Sequence, residues 1–163
     1  MEQSAAAHLF VISDARALAW ILTTKHLAFG SRWRRAVQGL QPGNRVLLYT
    51  TQRCFGGSFS TTRPRVIGEC VLTSSVETMK HPYVLDDRVF PLGCTIDLIS
   101  LAPRAAAPDF ADLVPRLHAF KGAWNLRLRG APVPLDEHDY GLIHDELART
   151  AMEPARALNE YVS

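Results

Sequence analysis

The sequence predicts a single α+β domain in which a small, curled antiparallel or mixed β-barrel carries helices packed on its rim. Three observations lead there. The 163 residues suffice for one core and not for two comfortable ones. A composition of 47% hydrophobic and 21% charged residues is that of an ordinary globular chain. Short apolar, β-branched runs alternate with stretches of helical spacing in the order strand, helix, helix, several strands, helix, strand, helix. The domain is expected over residues 8–150, between a flexible start at 1–7 and a loosely held tail at 151–163.

His8 to Ser13 is a short run with β-branched and aromatic content, a buried first strand. Ser13 or Asp14 then caps a helix reaching about residue 23, with Leu18, Ile21 and Leu22 on its apolar side. After a loop at Phe29 to Ser31, Ser31 is placed to cap a short helix to Gly39 in which Trp33, Ala36, Val37 and Leu40 recur at helical spacing. Gln41 to Asn44 is a turn, because Pro42 presets one backbone angle and Gly43 or Asn44 tolerates positive φ. Arg45 to Thr51 and Arg65 to Leu72 read as paired strands. The connection between them, Gln52 to Pro64, is longer than a hairpin needs, and long structured loops are disproportionately functional.

Val76 to Met79 reads as a further strand, and His81 to Arg88 as loop. Val89 to Leu101 is a long strand whose Pro91 argues for an edge or a bulge. Asp109 to Leu117 carries Phe110, Leu113 and Leu117 at helical spacing. The last helix has the clearest start. Asp136 is its N-cap, Glu137 and Asp139 place negative charge on the positive end of its dipole, and Leu135 with Tyr140 fits a hydrophobic staple. Tyr140, Ile143 and Leu147 form its apolar stripe.

No run approaches the roughly 18 apolar residues of a membrane span, so no membrane partner is expected. The first seven residues lack the basic start and apolar stretch of a secretory signal, which makes the cytoplasm the expected location. Cys54, Cys70 and Cys94 are widely spaced and form no Cys-x-x-Cys pair, so neither a disulfide nor a metal knuckle is predicted. Cys70 and Cys94 lie in apolar runs and should be buried, whereas Cys54 lies in a Gly-rich loop open to solvent. The net charge of +2 says less than its distribution. Arg32, Arg34 and Arg35 surround Trp33; Arg53, Arg63 and Arg65 flank one loop; Lys121, Arg127 and Arg129 surround Trp124; most acids lie elsewhere. Such separation is the electrostatic footprint of a polyanion binder.

Reading a base needs flat apolar faces for stacking, polar groups for the base edge and a basic surround for the phosphates. Trp33 and Trp124 are the first candidates for the faces, and each could instead pack the core. Tyr49, Thr50 and Thr51 end a strand just before the long loop, where hydroxyls can reach a base edge or simply serve as β-formers. Ser13 either contacts the ligand or only caps its helix. Phe55 and Phe59, on the loop with Gly56 and Gly57, form a lid or wedge, or fold back onto the barrel. Arg32, Arg34, Arg35, Arg53, Lys121, Arg127 and Arg129 are the candidate phosphate contacts.

The stretch with Phe120 and Trp124 four residues apart, then Arg129-Gly130 and a helix opening with acidic residues, resembles the C-terminal signature of EVE domains. Gly30 to Arg35 loosely resembles the Trp-x-Gly-Val-Arg-Asn segment of that family, with the glycine here before the tryptophan and no asparagine after Arg35. The likeness runs from Leu9 to about Leu147 and takes in Arg45 to Tyr49 and Val66 to Glu69. YTH domains, related in fold, are near neighbours. The resemblance implies a PUA-like fold without cofactor or catalysis. It implies that one modified, for example methylated, or flipped base of DNA or RNA is held in an aromatic pocket that includes Phe120. A separate nuclease or translocase is the expected partner. The alternative is a sensor or enzyme using the same pocket for a free nucleotide or other small molecule.

Motifs for catalysis are thin. There is no His-Glu-x-x-His, no Gly-x-Ser-x-Gly elbow and no Gly-x-Gly-x-x-Gly or Gly-Lys-Ser/Thr phosphate loop, and His138 and His144 fall on different faces of one helix.

Overall fold

A computed structural model describes residues 6–56, 63–122, 128 and 132–162. The chain runs β1 (Ala7–Ile12), α1 (Ala15–Thr24), β2 (His26–Phe29), a 3-10 turn (Ser31–Trp33), α2 (Arg34–Val37), β3 (Arg45–Thr50), β4 (Arg65–Leu72), β5 (Glu77–Leu85) and β6 (Arg88–Leu101). There follow α3 (Phe110–Leu113), a second 3-10 turn (Val114–Arg116), β7 (Val133–Leu135), α4 (Glu137–Ala148), α5 (Pro154–Ala157) and α6 (Asn159–Val162). The strands make one mixed sheet in the order β2-β6-β4-β3-β1-β7, with β5 added on β6. β1 and β3 are parallel and every other pairing is antiparallel.

β3 lies between β1 and β4, and from Val46 to Thr50 it is buried on both faces. Its unbroken apolar run is what such a central position requires. The β3–β4 register slips between Leu48 and Tyr49, and the β4–β6 register between Glu69 and Cys70, two irregularities that increase twist. The sheet curls so strongly that β1 and β2, far apart in strand order, meet face to face. Phe10 of β1 and Phe29 of β2 contact edge to face at 5.6 Å. This half-barrel is the curled α+β architecture the sequence predicts, with the helices on its rim.

Most strands fall where expected; three segments differ. His26–Phe29 is a strand rather than the approach to a loop, and it pairs with Leu92 to Thr95. His81 to Leu85, read as loop, continues β5, and only Asp86 and Asp87 form the turn into β6. The polar, proline-containing sequence there hides a strand because one face is open to solvent. The β5–β6 register shifts between Thr78 and Tyr83, opposite Pro91, which is the bulge that proline foretold. Finally, the expected loose tail is held. Met152 bridges to Leu101, Ala157 and Tyr161 are buried, and the Tyr161 hydroxyl donates to the Ala102 carbonyl at 2.6 Å. Apolar residues at 157, 158, 161 and 162 at helical spacing supply the reason.

A buried polar cluster ties α4 to the sheet. Glu69 of β4, only 1% exposed, accepts from the Tyr140 hydroxyl at 2.5 Å and from Arg45 at 3.2 Å, and pairs with Nδ1 of His144 at 2.6 Å. Burial and this carboxylate together push the Tyr140 hydroxyl well above its ordinary pKa.

Candidate functional site

The seam where β1 faces β2 is not closed by backbone hydrogen bonding between those strands, and a cavity of about 820 Å³ occupies it. β1 contributes Phe10 and Ile12, and Ser13 and Asp14 follow at its end. Helix α1 contributes Ala17, Trp20 and Ile21; the segment after β2 brings Ser31, Arg32 and Trp33; the β5–β6 hairpin brings Tyr83, Arg88 and Phe90. Among the described residues six aromatic side chains thus share one cavity, counting Phe29. Trp20 and Tyr83 stack at 4.4 Å with 29° between planes, and Tyr83 leans on Phe90 at 5.9 Å. The Arg32 guanidinium lies 4.7 Å over the Trp33 ring and that of Arg88 lies 5.7 Å over Phe90. Flat apolar walls with cations at the lip suit an aromatic, anionic ligand.

Local structure explains the placement. Asp14, not Ser13, caps α1: its carboxylate accepts from the Arg16 amide at 2.8 Å, which leaves the Ser13 side chain exposed at the cavity. Arg16 in turn joins Asp14 to Asp86 at the tip of the β5–β6 hairpin, at 2.8 and 2.9 Å, so helix and hairpin are tied across the cavity's edge. Hydrogen bonding to Arg16 holds both carboxyls below their usual range. The second helix starts as a 3-10 turn with Gly30 at its cap, where Ser31 was expected, and this turn sets Trp33 half-buried in the wall.

The predicted site residues therefore separate. Ser13, Arg32 and Trp33 line the cavity. Tyr49, Thr50 and Phe120 do not: they are 4%, 1% and 0% exposed. Tyr49 and Phe120 both pack edge to face on Phe110, at 5.0 and 5.2 Å, and the Thr50 hydroxyl is directed to the Arg65 carbonyl at 3.4 Å. A strand with neighbours on both sides and cover on both faces has no side chain left for a ligand. Thr51, one residue on, lines a separate cleft with Phe55. Phe55 folds back, tilted against Tyr161 at 6.0 Å. Cys54 is buried as well, contrary to its expected exposure, and burial pushes its thiol up to about 12. Cys70 and Cys94 are buried as expected. Arg34, Arg35, Arg53 and Lys121 are exposed. Phe59, Trp124, Arg127 and Arg129 lie outside the described residues.

Leu128, the described residue within 123–131, lines the cavity. The chain ahead of it, at His118 and Ala119, is fixed by Asp139. This fully buried carboxylate accepts from the His118 and Ala119 amides at 2.7 and 2.9 Å and pairs with the His138 ring at 2.9 Å. His118 stacks flat on His138 at 3.8 Å and reaches Asp136 at 3.1 Å. His118, Asp136, His138 and Asp139 bring potential metal-ligand atoms within 4.8 Å of one another, but both carboxylates are already engaged by backbone amides. The group reads as a clamp between α4 and the segment after Leu117. Trp20, Tyr83, Phe90 and Arg88 are among the lining residues that sequence reasoning missed, as are Phe10 and Phe29. Trp20 lies off the apolar stripe of α1, which was the available signal; Tyr83 and Arg88 belong to the stretch read as loop, and Phe90 to the expected strand beginning at Val89.

The architecture is that of the YTH and PUA-like domains. A hypothetical protein from Leishmania major superposes with a TM-score of 0.60 at 14% identity, over 89% of this chain and 96% of that one. Human THYN1 in complex with 5-methylcytosine containing DNA gives 0.54 at 12% identity, over 87% of this chain and 98% of that one. The YTH domain-containing protein mmi1, in complex with RNA, gives 0.53 at 12% identity, over 89% and 78%. No protein-family model and no curated protein matches the sequence.

Proposed function

We propose that the protein is a non-catalytic nucleic-acid-binding module of EVE-like type that holds a single modified or flipped base of DNA or RNA in the cavity between β1 and β2. The observation that carries this reading is the cavity itself: six aromatic side chains around about 820 Å³, with Arg32 and Arg88 at its lip. Stacking is worth about 1–3 kcal/mol per base, comparable to the cost of taking a base out of a duplex. Trp33 and the Trp20–Tyr83 pair supply the faces, Ser13, Ser31 and Asp14 the polar groups for a base edge, and Arg32, Arg34 and Arg35 contacts to the strand. Two proteins of this fold, human THYN1 and mmi1, are seen with methylated DNA and with RNA, which supports a nucleic-acid partner. A separate nuclease or translocase working beside the module, and a cytoplasmic setting, are part of the same proposal.

The test is a fluorescence titration with matched DNA and RNA oligonucleotides, with and without methylated bases, on the wild type and Trp33→Ala. One modified oligonucleotide should quench saturably, and the variant should bind it about tenfold more weakly. Silence toward every oligonucleotide and every free nucleoside contradicts the reading.

The cavity's volume also falls in the range of drug-sized ligands, which favours a second reading as a free-nucleotide sensor. That reading predicts affinity nearly independent of salt, because phosphate-backbone contacts are what make binding fall with salt.

A further inference from the structure

The residue after Thr50 opens onto a second, smaller cleft of about 330 Å³, lined among others by Thr51, Phe55, Arg63, Arg65, Arg104 and Glu160. Three arginines thus face one lining carboxylate. Glu160 is occupied with the Arg104 backbone amide at 3.1 Å. Arg63 pairs with Asp109 at 2.5 Å. Arg65 is anchored by donating to the Ala107 carbonyl, and the Arg104 guanidinium lies flat over the Phe55 ring at 3.9 Å. Among the described residues neither Arg65 nor Arg104 has a carboxylate at ion-pair distance. The Thr51 hydroxyl is buried there without a hydrogen-bond partner among those residues. An orphan hydroxyl, two positioned guanidinium forks and little opposing charge are the donor set a phosphate requires.

Position says which phosphate. The Thr51 amide donates to the Ile12 carbonyl at 3.0 Å, and Ile12 with Ser13 belongs to the aromatic cavity. Ser13 and Thr51 therefore follow the carboxyl ends of adjacent parallel strands, whose backbones run about 4.8 Å apart. We infer that the second cleft docks the sugar–phosphate of the nucleotide next to the held base, so that the module grips two consecutive nucleotides of one strand. The inference rests on the proposed function, and its test separates the two.

The probes are the modified nucleoside, its 5′-monophosphate, a trinucleotide centred on it and the same trinucleotide unmodified, each against wild type, Arg104→Glu and Thr51→Val. Arg104 is exposed and Thr51→Val keeps the shape of its side chain, so both variants should fold. Expected is unchanged nucleoside affinity in Arg104→Glu, with trinucleotide affinity down at least about tenfold and its salt slope lowered by about one. Thr51→Val should weaken the trinucleotide severalfold without lowering the Tm. Trinucleotide affinity and slope equal to wild type in both variants overturn the inference. An Arg104→Glu loss as large for the monophosphate as for the trinucleotide also overturns it, since the cleft would then hold the terminal phosphate of a free nucleotide. If no nucleoside binds while the unmodified trinucleotide binds and loses affinity in Arg104→Glu, the base reading fails and the phosphate cleft stands.

Discussion

Asp139 shows how far a single side chain can act. Its charge has no exposure to water, and it is satisfied by two amides of the segment after Leu117 and by the His138 ring. Removing a buried carboxylate with three partners leaves two amides orphaned, so Asp139→Ala should cost about 3 kcal/mol in urea unfolding. Phe120 and Trp33 make a matched pair of aromatic truncations. Phe120 is fully buried, and Phe120→Ala should cost about 3–5 kcal/mol. Trp33 is a half-buried wall residue, so Trp33→Ala should unfold at nearly the wild-type denaturant midpoint and show its loss in binding. His8 gives the acid response its sign. Burial holds its imidazole below the ordinary value of 6.5, with Nδ1 lacking a partner among the described residues. As pH falls through 6.5 the unfolded chain takes up a proton that the folded chain refuses, so stability is lost on the acid side. Thermal melts of His8→Leu between about pH 7 and pH 5 should show a shallower slope than the wild type.

At the scale of elements, legibility follows burial and capping. The start of α4 was readable because Asp136 caps it in the expected way, accepting from the Asp139 amide at 2.7 Å, a bond that also helps hold the Asp136 carboxyl below its usual range. β3 and β4 were readable because each carries a mostly apolar, β-branched run after an opening arginine, interrupted in β4 only by Gly68 and Glu69. The second half of β5 was not, since Lys80 to Val84 is largely exposed and the register is broken opposite Pro91. With that hairpin went half of the cavity wall. Tyr49 and Thr50 were misplaced for the opposite reason: a strand end before a long loop looks open until the flanking strands and α3 are known to cover it. Gly93 records how tightly β2, β5 and β6 meet. A Cβ there would stand 2.8 Å from the Leu27 carbonyl oxygen. Gly93→Ala should destabilise by about 1–3 kcal/mol in chemical unfolding, because backbone cannot give way as a side chain can.

For the molecule as a whole, the curl of the sheet is the link between sequence and function. Flat pairing would leave β1 and β2 separated by β6, β4 and β3; twist and two register slips bring them together without joining them. The gap fills with aromatic side chains from four separate stretches of chain, which is why no single motif announces it. Long-range proximity of this kind has no signature in local periodicity. Arginine clusters, by contrast, were visible in the sequence, and Arg32 stands at the cavity while Arg34 and Arg35 stay exposed on the helix beside it. The most direct test of the account is a map of amide and indole NMR shifts in the isotopically labelled protein as a free modified nucleoside is added. The account predicts changes centred on Phe10, Ser13, Ser31, Trp33, Tyr83 and Phe90, with the indole signals of Trp20 and Trp33 among the largest. Shifts confined to other surfaces, with both indole signals still, would contradict it.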